Sequence, residues 1–182
     1  QYVAAQNVPG QGLINASDIA SGIEVNGHSL GGYLVTAFMR LFKNQANIVH
    51  ASTFNSAGFT SGSESAFIEL QNLIGPSLGL QRFPDEREQT NYFAKNGMNF
   101  TTNTFYFDQQ GNRVEVFNEL DLLPWGNHSM YKLTDALSLA KTLEKLDQTL
   151  TIDKFNSIVS LASNKTEASI EKLFDALNKA IN

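Results

Sequence analysis

The sequence predicts an α/β fold in which parallel strands alternate with helices. A short β-branched run at 23–25 ends in Asn26-Gly27, and a largely apolar helical segment follows at 33–42. A second apolar strand is predicted at 48–54. Strand, tight turn, helix and strand therefore follow one another as they do in a parallel crossover.

The middle of the chain is predicted to add one helix and three further strands. Residues 62–75 form a short amphipathic pattern, and residues 75–91 hold glycine, proline and charge, which is typical of a surface loop. A strand is predicted at 91–94. Residues 101–107 and 113–117 alternate with period two on either side of Gln109-Gln110-Gly111-Asn112, a pattern that favours a β-hairpin.

The C-terminal part of the chain is predicted to be helical. Apolar residues recur there at helical spacing, which gives three helices at 132–147, 151–162 and 166–180. We therefore divide the chain into an α/β domain at 1–147 and a helical extension at 148–182.

Composition and charge exclude several classes of function. The 182 residues carry a net charge of −5 without a basic cluster, which argues against nucleic acid and against an anionic membrane surface as partners. No run approaches 18 apolar residues, so we expect no membrane insertion. Cysteine is absent, and no His/Asp/Glu cluster has ligand spacing; we therefore predict no disulfide, metal or cofactor.

A Gly-x-Ser-x-Gly motif lies between the first predicted strand and the helix after it, in Gly27-His28-Ser29-Leu30-Gly31-Gly32. Glycines two positions before and after a serine let strand and helix approach without Cβ clashes, and the serine then projects from the end of the sheet. Ser29 is the predicted nucleophile. The backbone N–H of Leu30, at the helix N-terminus, is the predicted oxyanion donor.

This motif and the helix after it resemble the class 3-type lipases of the α/β-hydrolase superfamily. The runs 50–59 (His-Ala-Ser-Thr-Phe-Asn-Ser-Ala-Gly-Phe) and 126–137 (from Gly-Asn-His-Ser-Met to Leu-Thr-Asp-Ala-Leu) are similar to lipase-like domains of large exported bacterial proteins that carry calcium-binding repeats. The resemblance covers roughly 20–147. It implies an α/β-hydrolase sheet, a secreted or cell-surface location and an acyl-ester or lipid substrate.

The chain has three histidines, so few residues can serve as the base that a serine nucleophile requires. His28 is adjacent to Ser29, and we expect it to point the other way and to have a packing role. His50 lies inside a predicted buried strand. His128 lies in a Gly/Asn loop before a helix, and the order Ser, acid, His of α/β-hydrolases makes it the predicted base.

The acid of the triad has more than one candidate. Asp121 follows the strand predicted at 113–117 and is the preferred choice, with Glu119 as the alternative. However, only seven residues separate Asp121 from His128, whereas class 3 lipases have a further strand between acid and histidine. Counting strands instead places the acid at 95–99, a segment without a carboxylate. The lesser candidates are Asp108, Glu115 and Asp135.

The position of Ser29 raises a further expectation. A complete α/β-hydrolase has several strands before the nucleophile, and 28 residues leave no room for them. We therefore expect this chain to contact a missing N-terminal part of the fold or to self-associate. The sequence predicts a serine carboxylic-ester hydrolase. The alternative is a catalytically weak or inactive module with a binding or assembly role, which the missing carboxylate at 95–99 favours.

Overall fold

The computed structural model describes residues 16–60, 62–74, 80–97, 108–120 and 126–163, together with residues 169, 170, 172, 173, 175 and 179. The helices are α1 (Ala16–Ser21), α2 (Leu30–Ala46), α3 (Ser63–Ile74), α4 (Met130–Leu146) and α5 (Ile152–Ala162). The strands are β1 (Ile23–His28), β2 (Ile48–Phe54), β3 (Gln89–Ala94) and β4 (Asn112–Val116), and a 3-10 turn spans Gly126–His128. The described residues after 168 are helical.

The four strands form one sheet in the order β1-β2-β3-β4, and every neighbouring pair is parallel. The prediction of a parallel α/β fold with C-terminal helices is therefore confirmed. The carboxyl ends of all four strands lie at the same edge of the sheet. That edge carries the segments that begin at Ser29, Asn55, Lys95 and Phe117.

The predicted hairpin differs from the pairing that β4 adopts. β4 pairs parallel with β3, with Tyr92 opposite Val114 and Ala94 opposite Val116. Residues 101–107, its predicted antiparallel partner, lie outside the described residues. Before β4, Asp108 forms an antiparallel bridge with Phe59. The N–H of each of these two residues donates to the carbonyl of the other at 2.8 Å.

Helices pack on both faces of the sheet. Val35 and Met39 of α2 pack against Ile48 and Ala51 of β2 on one face. On the opposite face, Leu133 and Ala136 of α4 pack with Val116, Phe54 and Tyr92. Side chains alternate between the faces of a strand, so β2 contributes to both layers and its end is held from both sides.

A buried polar network joins α2 to the middle of the sheet. Thr36, Thr53, Gln89 and Asn91 are each at most 2% exposed. The hydroxyl of Thr36 donates to Gln89 Oε1 at 3.0 Å, and that of Thr53 donates to Asn91 Oδ1 at 2.6 Å. The amide of Gln89 donates to the same Asn91 oxygen at 2.8 Å and to the carbonyl of Gln110 at 3.1 Å. An unpaired polar group would be costly here, so the network specifies one position of α2 on the sheet.

The edge of β4 is closed by a side chain. Asn156 of α5 accepts a hydrogen bond from the N–H of Phe117 at 2.7 Å and donates one to the carbonyl of Glu115 at 2.7 Å. Its amide thereby takes the place of a neighbouring peptide group at a strand edge that would otherwise offer unpaired backbone groups. This pair of bonds attaches α5 to the sheet.

Replacing Asn156 with alanine is expected to lower the free energy of unfolding by about 1–3 kcal/mol, because the N–H of Phe117 and the carbonyl of Glu115 lose their partner. Urea denaturation followed by circular dichroism measures this change. The matched control is Ser157→Ala, since Ser157 is exposed and its hydroxyl donates to the carbonyl of Asp153 in its own helix. Equal stability of the two variants would contradict the role given to Asn156.

Candidate active site

Ser29 occupies the turn between β1 and α2 with a strained backbone. Its φ of 54° and ψ of −121° are rare for a residue with a side chain and cost about 1–3 kcal/mol unless the surroundings enforce them. The surrounding backbone enforces this conformation through hydrogen bonds to both the N–H and the carbonyl of Ser29. The N–H of Ser29 donates to the carbonyl of Phe54 at 3.0 Å, and its carbonyl accepts from the N–H groups of Gly32 at 3.1 Å and Ala57 at 3.2 Å.

The three glycines of the motif do not all have the same steric role. A Cβ at Gly27 would overlap the carbonyl of Gly31, as predicted for a close approach of strand and helix. A Cβ at Gly32 would overlap the side chain of Ser56, which follows β2. A Cβ at Gly31 would meet no atom of the described residues within 4 Å. Close packing therefore requires glycine at 27 and 32, and the expected steric need at Gly31 is wrong.

His128 lies beside the hydroxyl of Ser29. The two residues are 99 positions apart in the chain, and Ser29 Oγ lies 2.9 Å from His128 Nε2, within hydrogen-bond distance. The 3-10 turn Gly126–His128 places the imidazole there, directly before α4 begins at Met130. The geometry thus brings together the nucleophile and the base that the sequence predicts.

The pKa of His128 lies below the ordinary histidine value of 6.5. Burial is the first cause, because it disfavours the charged imidazolium, and the positive charge of protonated His28 is the second. The imidazole is therefore neutral at pH 7. Its Nε2 can accept the proton of the Ser29 hydroxyl when Nδ1 carries the ring proton.

Leu30 begins α2, so no carbonyl one turn earlier in the helix can accept its N–H. The N-terminus of this 17-residue helix also favours negative charge nearby. The predicted oxyanion donor therefore lies directly after the nucleophile, at the position where a backbone N–H is available to a ligand.

The prediction that His28 points away from the site is wrong. Its Nε2 donates to the backbone carbonyl of His128 at 2.8 Å, and the two imidazole rings lie 5.1 Å apart. His28 is the last residue of β1, so its side chain extends from the strand end toward the turn that carries His128. His50, by contrast, lies half-buried on β2 within 3.2 Å of the carbonyl of Arg87 and the hydroxyl of Thr90.

Asn55 is a site residue that the sequence analysis did not single out. It follows β2 with a left-handed φ of 44°, and its side chain is fully buried. Its Nδ2 donates to the carbonyl of His128 at 3.2 Å and to that of Asn127 at 3.4 Å, while its Oδ1 accepts the N–H of Ala94 at 2.9 Å. The sequence signal that could have identified Asn55 is its position directly after a strand, since asparagine tolerates a left-handed backbone better than most residues with side chains.

Asn127 fixes the same turn from its other side. It is 2% exposed, and its Nδ2 donates to the carbonyl of Glu119 at 2.6 Å. Gly97, after β3, has a φ of 91° and would overlap the side chain of Asn127 if it had a Cβ. The ends of β2, β3 and β4 therefore all contact the turn that carries His128.

The acid of the triad is not among the groups that the described residues bring to His128. Asp121, the preferred candidate, lies outside the described residues. After β3, where the strand count places the acid, the amide of Asn96 donates to the carbonyl of Asn118 at 2.7 Å. Asp108 is exposed in its bridge to Phe59, and Glu115 pairs with Lys95 at 2.8 Å. Asp135 has a raised pKa, because of burial and the nearby Asp175.

Glu119, the alternative acid, bonds to two serines near the C-terminus. Its buried carboxylate accepts hydrogen bonds from the Ser163 hydroxyl at 2.6 Å and from the Ser169 N–H at 2.7 Å, where the last described helical residues begin. Burial raises the pKa of this carboxyl group, but these hydrogen bonds outweigh burial and hold the pKa below its ordinary value. Glu119 therefore attaches the C-terminal helical segment to the end of the sheet.

Comparison of the chain with protein-family models, with curated proteins and with solved structures found no match. Among the described helices, none is long and apolar enough to cross a membrane. Within the same residues, no three His, Cys, Asp or Glu side chains form a group that could hold a metal ion.

Gly32→Ala is expected to destabilise the protein by several kcal/mol or to prevent folding, because the new methyl group overlaps the side chain of Ser56 in a packed region. Gly31→Ala is the matched control. It is expected to leave the midpoint of thermal unfolding unchanged or to raise it, since alanine favours helix by about 1 kcal/mol over glycine. Thermal unfolding followed by circular dichroism compares the two. A larger loss from Gly31→Ala than from Gly32→Ala would contradict the packing described above.

Proposed function

We propose that this protein is a serine carboxylic-ester hydrolase that acts through an acyl-enzyme. The observation that carries the proposal is the 2.9 Å contact between Ser29 Oγ and His128 Nε2. It occurs on a strained turn at a helix N-terminus, where a hydroxyl, an imidazole and a backbone N–H lie together, the groups that a nucleophile, a base and an oxyanion donor require.

The reaction divides into two halves. Ser29 Oγ attacks the ester carbonyl carbon while its proton passes to His128 Nε2, and the N–H of Leu30 donates to the oxyanion of the tetrahedral intermediate. Collapse of this intermediate breaks the bond to the alcohol oxygen, which takes the proton from His128. Water then attacks the acyl-enzyme with His128 again as base, and the acid and free Ser29 are released.

Acyl lipids are the proposed substrate class. The resemblance of the motif to class 3-type lipases supports this choice, as do apolar surfaces next to Ser29. Leu30 and Leu34 lie one turn apart on α2 and are 65% and 59% exposed. An open cavity of about 450 Å³ is lined by Phe54, Met130 and Leu137 among others. The backbone carbonyl of Phe54 accepts the N–H of Ser29, and Met130 follows His128 by two residues. Leu120, which lies eight residues before His128, is 45% exposed.

The decisive experiment is covalent labelling with a fluorophosphonate probe, which reacts with activated serines. The full chain is expected to be labelled, Ser29→Ala to lose labelling, and His128→Gln to react at least about a thousandfold more slowly. Since the pKa of His128 lies below 6.5, the labelling rate is expected to fall with decreasing pH and to reach half of its maximum below pH 6.5. His50→Gln is the control and is expected to match the unmodified protein.

A folded chain that the probe does not label would favour the second candidate function, a non-catalytic binding or assembly module. One observation supports this alternative. The segment 95–97 after β3 carries Lys95, Asn96 and Gly97 rather than a carboxylate, and the amide of Asn96 is bonded to the neighbouring loop. The strand count places the acid in that segment, and a triad without its acid stabilises the imidazolium of the transition state less.

The identity of the acid is tested by removing one negative charge at a time. Asp121→Asn is expected to lower the labelling rate by a factor of about 10⁴ if Asp121 orients His128, as the loss of such a group does in a triad. Asp108→Asn is expected to leave the rate unchanged, and Glu119→Gln to change stability rather than rate. A full rate in Asp121→Asn would rule out Asp121 as the acid.

A further inference from the structure

His28 lies between the end of β1 and the turn of His128, and the catalytic steps proposed above do not use it. Its Nε2 lies 2.8 Å from the carbonyl oxygen of His128. A carbonyl only accepts hydrogen bonds, so Nε2 of His28 carries a proton in both charge states of the ring. The bond to the carbonyl of His128 therefore does not depend on whether the ring of His28 is charged.

We propose that His28 is the positioning residue of this site: its Nε2–H holds the carbonyl group of His128, and a positive charge on its ring opposes a positive charge on the ring of His128. This inference rests on the proposed function for its catalytic consequence. Its electrostatic content, the effect of His28 on the pKa of His128, can be measured without any reaction.

The hydrogen bond to the carbonyl gives His28 its positioning role. The carbonyl of His128 accepts two hydrogen bonds, from His28 at the end of β1 and from Asn55 at the end of β2. The nucleophile Ser29 follows His28 directly. The same strand end thus holds the serine and the backbone of the base, which fixes the distance between Oγ and Nε2 against movement of the turn.

The electrostatic role follows from the short distance between the rings and from where the other charges lie. The ring centroids of His28 and His128 are 5.1 Å apart. The described charged groups on the other elements around the turn have partners of their own. After β3 and β4, Lys95 pairs with Glu115, and Glu119 bonds to Ser163 and Ser169.

On the two helices that adjoin the turn, the nearest charges in sequence are also engaged. Lys132 of α4 lies 6.0 Å from the ring centre of Tyr131, and Arg40 of α2 pairs with Glu64. On β2, Asn55 is neutral. Within the described residues, His28 is thus the group whose charge lowers the pKa of His128, in addition to burial. Asp121, outside these residues, would act with the opposite sign.

Protonation of His28 therefore opposes the step in which His128 becomes an imidazolium. A positive charge on one ring makes a positive charge on the other less favourable, because the ring centroids are only 5.1 Å apart. Loss of the charge at position 28 raises the pKa of His128, and the acid limb of the pH–rate profile then moves to higher pH.

Two substitutions separate the hydrogen bond from the charge. His28→Gln keeps an N–H donor near the place of Nε2 and removes the charge. It is expected to label with the fluorophosphonate probe at the unmodified rate at pH 8, with its half-maximal rate at a higher pH. His28→Leu removes both, and its labelling rate at pH 8 is expected to fall about tenfold to a hundredfold. Equal rates in His28→Leu and the unmodified chain would overturn the positioning role.

Nuclear magnetic resonance of the imidazole protons tests the coupling without catalysis. With three histidines in the chain, His28→Gln, His50→Gln and His128→Gln assign all the signals. In His28→Gln, the signal of His128 is expected to titrate at a higher pH than in the unmodified chain, and in His50→Gln at the same pH. An unchanged titration of His128 in His28→Gln would overturn the electrostatic role.

The same titration separates this inference from the proposed function. If the titration of His128 moves to higher pH in His28→Gln and the probe labels nothing, the ester hydrolase proposal fails while the effect of His28 on His128 stands.

Discussion

The backbone of Ser29 is the constraint on which the rest of the site depends. A serine at a φ of 54° persists only because its surroundings determine it more strongly than its own preference does. Phe54 accepts its N–H, Gly32 and Ala57 donate to its carbonyl, and glycine at 27 lets the start of α2 lie against β1. The hydroxyl position is therefore a property of β1, β2 and α2 together.

Asparagine side chains connect the loops at this edge of the sheet. Each carries a donor and an acceptor, so a single buried amide can bond two backbone segments, and an arrangement that leaves either group unpaired is costly. Asn55 joins the ends of β2 and β3 to the turn of His128 in this way. The asparagines that bond separate chain segments are Asn55, Asn91, Asn96, Asn118, Asn127 and Asn156. The abundance of this residue in the sequence therefore has a structural use.

The charges are distributed so that the serine–histidine pair lies in a partly buried, weakly charged region. Arg40 stacks over the ring of Phe83 at 3.9 Å and pairs with Glu64 on α3, while Glu119 bonds to the start of the C-terminal helical segment. Burial lowers the pKa of His128 and so favours the neutral imidazole, the form that the proposed general base requires. For the proposed reaction, the identity of the third residue decides how far Ser29 would be activated.

The sequence by itself determined the order of the described strands and helices along the chain and the turn at Ser29. With three histidines to choose from, it also predicted His128 as the base. These features follow from hydrophobic periodicity and from a short motif, which are local. The tertiary structure decided that β4 pairs parallel with β3, that Gly32 rather than Gly31 is packed closely, that Glu119 bonds to Ser163 and Ser169, and that His28 and Asn55 hold the turn of the base. Those contacts join residues 72 and 100 positions apart, for Asn55 with Asn127 and His28 with His128. No local pattern records which distant backbone carbonyl a buried donor will meet, because that depends on how the strand ends converge after the sheet has formed.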